Sequence, residues 1–376
     1  MNLIEEYKKG QSGGNKGLPI GGGLVSMNKT INGVQKGRIY GIAAAPKAGK
    51  STFTDYAFVI QPFLYLLANP ETKIEWIYFS FELDRVSKEF DFAAFFIYYD
   101  FKVESITLPE GVLKDGKPFL QLSPDYLRGR IQDDEGKTIL VDPNIFKMLQ
   151  DVYQNRIIPL FGEYNSEGKQ IKKGLIRFIE DKTNPTGLRK FLMAHAENNG
   201  QFVKEGGKFN KGITGYKANN PDKYTIVVTD HLRKLVPERG FQMKQTVDKY
   251  IEYTVEIRNW CAYTFAHIIH LNRSMTDVQR QKQFGDNIFP NSDDIKDTGN
   301  LAEDCDYLFT IFNPNDKRYN LDTFFGKKIR TSTGDEIYPS LRTIHLVESR
   351  HCDFPQHFAA DMYGGFKAFK TSEFLK

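Results

Sequence analysis

The residues Ala44-Ala45-Pro46-Lys47-Ala48-Gly49-Lys50-Ser51 are the stretch of this sequence best equipped for chemistry. They fit G-x-x-x-x-G-K-[ST], with Ala44 in place of the first Gly. A loop of this kind turns backbone N–H groups and a helix N-terminus toward the phosphates of a nucleoside triphosphate. Gly49 lets the backbone come close, Lys50 reaches the β- and γ-phosphates, and Ser51 offers its hydroxyl to Mg²⁺. The expected cradle is Ala45, Pro46, Lys47, Ala48, Gly49, Lys50, Ser51 and Thr52, and the expected cofactors are ATP and Mg²⁺. Hydrolysis also needs carboxylates. Asp230 closes the apolar run YTIVVTD, where it can hold Mg²⁺ or its water together with Ser51. Glu82 closes KIEWIYFSFE, where it can orient or deprotonate a water for attack on the γ-phosphate. The plainer readings are a chance strand–helix turn, an Asp that caps a turn and a Glu that faces solvent.

These groups meet only if strand ends bring them to one sheet edge. Gly37–Ala44 predicts a strand, and 50–68 predicts a helix carrying Phe53, Tyr56, Ala57, Ile60 and Leu64. Further strands are predicted at 73–82, 224–230, 261–271, 306–312 and 342–349. A helix is predicted over 84–100, and another where Val247, Tyr250, Ile251, Thr254 and Ile257 recur at helical spacing. Strands alternating with helices imply an α/β fold, a mostly parallel sheet flanked by helices. Residues 1–16 read as an N-terminal tail, and 17–376 as one domain. Within it, 101–222 is rich in Gly, Asn, Lys, Asp and Pro and reads as a large insertion or elaborated crossover with small hairpins.

Composition sets outer bounds. The chain has 376 residues, 40% of them hydrophobic, enough for a sizeable core. A net charge of +4 does not by itself imply nucleic-acid binding, so that case must rest on local patches. Cys261, Cys305 and Cys352 form no C-x-x-C pair and read as reduced thiols of a cytoplasmic protein. No apolar run reaches membrane-spanning length, and the first residues lack a signal-peptide core. Neither His267 with His270 nor His351, Cys352 and His357 fits a common zinc spacing.

The order and wording of six blocks resemble the C-terminal ATPase domain of DnaB-like replicative helicases. Gly17-Leu18-Pro19-Ile20-Gly21 is similar to G-I-P-T-G, and the phosphate loop follows. Phe79-Ser80-Phe81-Glu82-Leu83 resembles F-S-L-E-M, and Ile226 to Leu232 resembles I-V-I-D-Y-L. Ile269-His270-Leu271-Asn272-Arg273-Ser274 is similar to S-Q-L-N-R-S. Asp294 to Gly299, then Glu303-Asp304-Cys305-Asp306, resembles D-L-R-E-S-G and E-Q-D-A-D. The blocks cover most of 17–100 and 224–350 but not 101–222.

The resemblance implies a RecA-like P-loop core and an ATP-driven helicase or translocase on single-stranded DNA. The family works as a ring, a hexamer, alongside replisome or loader proteins. It implies that Glu82 activates water and that His270 senses the γ-phosphate where the family has Gln. Arg350 falls where the family's arginine reaches the neighbouring subunit's ATP, although Glu348 replaces a Lys two residues earlier. Two loops are implied at the DNA, one with Arg233, Lys234, Arg239 and Lys244, the other with Arg273, Arg280 and Lys282. The family's N-terminal helical domain has no counterpart in the sequence, and its linker helix has at most a stub at 2–9. That compact form matches a phage or mobile-element version acting in a host cytoplasm. Two other readings keep the nucleotide site: a recombination or helicase-loading ATPase that does not unwind, and an ATP-binding assembly subunit that no longer hydrolyses.

Overall fold

The computed structural model describes Ile4 and residues 16–204, 212–272, 278–295 and 300–375. Among them nine strands make one central sheet. In chain order they are β1 (Ile39–Ala44), β2 (Ile74–Ser80), β3 (Ile176–Ile179), β4 (Tyr224–Asp230), β5 (Thr264–His270), β6 (Tyr307–Phe312), β7 (Leu341–Ser349), β8 (Gln356–Tyr363) and β9 (Ala368–Thr371). Their spatial order is β9-β8-β7-β6-β1-β5-β4-β2-β3. From β6 to β3 all neighbours pair parallel. The last three strands add antiparallel at the β6 side.

The apolar runs form strands here because both faces of the sheet are covered. Side chains alternate between faces along a strand. Tyr40, Ile42, Trp76, Tyr78 and Val228 enter one core, which also holds Phe53, Phe58, Phe92 and Phe96. Their neighbours Ile39, Ala43, Ile77, Phe79 and Val227 enter the other, with Leu188, Leu192, Val247 and Tyr250. The first core is covered by two helical elements. One, α1, runs from Lys50–Asp55 through a π-helical turn, Tyr56–Ile60, into Gln61–Ala68. The other, α2 (Arg85–Phe101), starts where Asp84 accepts the Ser87 amide at 2.7 Å. The second core is covered by α3 (Pro185–Asn199) and α4 (Met243–Cys261). The apolar run predicts a strand over 261–271, but Cys261 still belongs to α4. Ala262 then turns left-handed (φ 55°), and β5 opens at Thr264.

Among the described residues, 101–222 contain three hairpins: Ser105–Thr107 with Phe119–Gln121, Gly162–Tyr164 with Gln170–Lys173, and Gly200–Lys204 with Ile213–Ala218. They also supply α3 and the edge strand β3, whose Ile176 pairs with Trp76. This stretch therefore contributes to the central sheet and to one of its covering layers.

Candidate nucleotide site

Four parallel strands end side by side. Ala44 pairs with His270 across β1 and β5, and Asp230 pairs with Ser80 across β4 and β2. The loop after β1, His270, Asp230 and the residues after Ser80 therefore share one sheet edge. In open parallel sheets this carboxyl edge is where ligands bind.

The loop after β1 has a shape few sequences tolerate. Lys47 and Gly49 both take positive φ, 65° and 101°. Glycine is required at 49 by its left-handed conformation, and a Cβ there would also have to displace the Met362 side chain, 2.2 Å from it at Sδ. The Ala48 amide donates to the Ala45 carbonyl (3.2 Å), and the Phe53 amide to the Gly49 carbonyl (2.8 Å), which starts α1. The amides of the first helical turn precede any intrahelical bonding and open in front of the loop. Ala45, Gly49, Ser51 and Thr52 are half-buried, Pro46 and Lys47 exposed, and Ala48 buried.

Lys50 is 8% exposed. Burial lowers its pKa, and the carboxylates of Asp230 and Glu82 oppose that shift. Asp230 is 1% exposed, and its Oδ1 has no hydrogen-bond partner among the described residues. A buried acceptor left bare costs about 1–3 kcal/mol. A hydrated divalent cation beside the half-buried Ser51 would satisfy it, so the donor set fits Mg²⁺. Glu82 is exposed, on a short loop fixed at both ends. The Phe81 amide donates to the Asp230 carbonyl (2.6 Å), and the Ser80 hydroxyl donates to the Leu83 carbonyl (2.6 Å).

His270 is half-buried. Burial, then the charge of Lys50, lowers its pKa to about 4, so its ring is neutral near pH 7. Its ring centroid lies 4.0 Å from that of His231. One ligand-type atom each from Glu82, His231 and His270 lie within 4.8 Å of one another. Sequence reasoning misses His231 because it sits beside the more conspicuous Asp230.

It misses a second group as well. Lys88 of α2 is wholly buried, 2.7 Å from Oδ2 of Asp55 on α1 and 3.5 Å from Oδ2 of Asp230. The Tyr78 hydroxyl donates to the other Asp55 oxygen at 2.7 Å. Burial opposes the charge on Lys88, but the carboxylates of Asp55 and Asp230 more than offset it and raise its pKa well above the ordinary value. Lys88 thus anchors Asp230 from behind. The signal for it is two opposite charges on the inward stripes of two helices. Lys88 stands one turn before the buried Phe92, and Asp55 lies next to the buried Tyr56.

Arg350 is not brought to this edge. Ser349 pairs with Tyr307, at the opposite end of β6 from Ile311, which pairs with Ala44. The separation along the strand is roughly 13 Å at about 3.3 Å per residue. Its guanidinium bonds the Glu303 carbonyl and is 47% exposed. Beside it, Asp306 is held by Arg258 (3.0 Å), His351 (2.8 Å) and the Ile39 amide (2.8 Å). His357 meets His345 at 2.7 Å. His351 and His357 are thus each engaged within the fold.

Of the basic residues expected at DNA, Lys234, Arg239, Lys244 and Lys282 are exposed and Arg233 is half-buried. Arg233 and Lys234 follow β4, Lys244 lies in the first turn of α4, and Lys282 lies in a short helix, Val278–Phe284. Arg280 is turned inward: its guanidinium forms a two-pronged pair with Asp294, one prong at 2.6 Å, and reaches the Phe289 carbonyl at 3.3 Å. Arg273 lies outside the described residues.

No protein-family model matches the sequence. No curated protein matches it either. Solved structures match the fold. The chain is similar to a solved ATPase domain, with a TM-score of 0.59 and 13% identity, over 99% of this chain and 97% of that one. It is similar to a DnaB-like replicative helicase, solved in a study of its interactions with primase, with a TM-score of 0.62 and 12% identity. That match covers 99% of this chain and 66% of the other, so this chain spans about two thirds of its length. The fold is the RecA-like ATPase core seen in DnaB-like helicases. No helix among the described residues is long and apolar enough to cross a membrane.

Proposed function

We propose that this chain is the motor of a DnaB-like helicase, which hydrolyses Mg-ATP and uses the energy to move along single-stranded DNA. The observation that carries this reading is the shared edge of β1, β5, β4 and β2, which gathers Lys50, His270, Asp230 and Glu82 around one glycine-bearing loop. Lys50 and the loop amides hold the phosphates, and Ser51 and Asp230 hold the cation. Mg²⁺, when bound, supplies charge that offsets the phosphate oxygens. Glu82 takes the proton of the attacking water, and the neutral His270 ring contacts the γ-phosphate. Arg350, directed away from its own loop, serves the site of a neighbouring subunit in a ring, as an arginine that stabilises spreading negative charge. The exposed Lys234, Arg239, Lys244 and Lys282 contact the DNA backbone without reading sequence.

The test is ATP hydrolysis with and without single-stranded DNA, for wild type and Glu82→Gln. The expected result is DNA-stimulated turnover that falls at least about a hundredfold in Glu82→Gln with nucleotide binding kept. DNA-stimulated turnover without strand separation would transfer the reading to a recombination or loading ATPase. Tight ATP binding with no turnover would leave an assembly subunit.

A further inference from the structure

His231 directly follows Asp230 and has no part in the scheme above. Its ring is 1% exposed. Nδ1 accepts the Arg233 amide at 3.1 Å. A neutral imidazole carries one N–H, so with Nδ1 accepting, the proton sits on Nε2. Nε2 is buried and has no partner among the described residues. The site therefore holds a fixed donor with nothing to donate to. His270 does not satisfy it: the two rings are tilted 47° with centroids 4.0 Å apart, and Nδ1 of His270 is also buried without a partner among the described residues.

The geometry shows what fits. Three atoms within 4.8 Å of one another share a point no more than about 2.8 Å from each, the side divided by the square root of three. That bound leaves room for one oxygen atom to hydrogen-bond with Glu82, His231 and His270 together. A zinc ion could take Nε2 of His231 only after the proton there had left, because Nδ1 already accepts the Arg233 amide.

We propose that His231 is a catalytic residue of ATP hydrolysis, its Nε2–H donating to the attacking water and holding it against Glu82. This role rests on the ATPase reading of the same site. The water's four valences are then all used. It accepts from His231, donates one proton to Glu82 and the other to Nδ1 of His270, and turns its remaining lone pair toward the γ-phosphorus. As the new P–O bond forms, the bond from the γ-phosphorus to the bridging oxygen breaks. Its electron pair stays on the β-phosphate of ADP, and the water's proton passes to Glu82.

The experiment compares wild type, His231→Phe and His231→Gln for ATP turnover and for Mg²⁺-dependent binding of a fluorescent ATP analogue. His231→Phe is expected to bind nucleotide within about threefold of wild type and to turn over about a hundredfold more slowly or worse. Glutamine returns an N–H near the Nε2 position and is expected to recover at least about tenfold over Phe. Nitrogen-15 NMR of the full chain is expected to show His231 neutral with its proton on Nε2. Wild-type turnover in His231→Phe would overturn the role while leaving the ATPase reading standing. Equal loss in Phe and Gln, a proton on Nδ1, or stoichiometric Zn²⁺ binding that His231→Phe abolishes would each overturn it as well. A wild-type chain that binds no nucleotide, or binds without hydrolysing, removes the ATPase reading itself, and the NMR and Zn²⁺ results then still report which form the ring takes.

Discussion

Replacing Lys88 with Met removes a buried cation from between two buried carboxylates. At an effective dielectric of about 20, its contacts at 2.7 and 3.5 Å amount to about 6 and about 5 kcal/mol before solvation is counted. Desolvating the ammonium offsets most of that. The measurable quantity is the cost of breaking the group, about 3–5 kcal/mol, because Asp55 and Asp230 are left buried without a counter-charge. Against a total stability of about 5–15 kcal/mol this is severe. The double variant Lys88→Met/Asp55→Leu removes one charge of each sign and leaves Lys50 facing Asp230, but it strands the buried Tyr78 hydroxyl, so it should lose only about 1–3 kcal/mol. Asp55→Leu alone strands the same Tyr78 hydroxyl and costs at least as much as the double variant, so the expected coupling between the two sites is about 3–5 kcal/mol or more. Urea unfolding read by fluorescence measures this, since Trp76 is fully buried in β2. The single variant's loss should also shrink as pH falls. Its stranded Asp55 carboxyl has a folded-state pKa raised by burial, so the penalty is full above that pKa and fades below it. A single variant as stable as wild type, or a double variant whose loss equals the sum of the singles, would refute this reasoning.

Three other outcomes are expected. Gly49→Ala places a Cβ against Met362 in a left-handed backbone and should cost about 1–3 kcal/mol in strain. Adding Met362→Ala restores space but not φ, so an ATP-analogue titration should show only partial recovery. Lys50→Ala and Arg350→Ala should each be inactive alone, yet regain ATP turnover when mixed, because one interface then joins an intact Lys50 to an intact Arg350; no recovery would place Arg350 outside the reaction. Stability should fall with acid from about pH 6.5 downward, because His231 and His267 have folded pKa values near 2 and 3, below their unfolded value. The unfolded chain then binds protons that the folded one does not, at up to about 1.4 kcal/mol per pH unit for each ring. Melting curves in His267→Phe should show a shallower acid slope.

Of the four strands at the candidate site's edge, β1, β4 and β2 were legible because they are buried and read as mostly apolar runs ending in Ala44, Asp230 and Ser80. The phosphate loop was legible because its glycine and lysine answer local geometry. What stayed hidden depends on partners distant in sequence. β3 is four residues long, with Arg177 exposed, too short and too polar for a periodic signal. Lys88 and Asp55 become partners only once the two helices are laid on one face of the sheet. From the sequence Arg280 is expected at the DNA, and only the fold sets Asp294 opposite it. His231 reads as one residue of a turn, and its meaning comes from the Arg233 amide that fixes which nitrogen carries the proton.

Arg350, after β7, and the phosphate loop, after β1, lie at opposite ends of the strand β6 that separates them, and this has a consequence for how copies of the chain add up. If each supplies one half of a site from one edge and the other half from the opposite edge, the contact between copies is head-to-tail. A pair then completes one site and leaves two unmatched halves. A line of any length always wastes one site, and only closure into a ring leaves none over. Specific activity would then rise with each subunit added and take its last step at closure, so the catalytic rate itself becomes a count of subunits in the assembly.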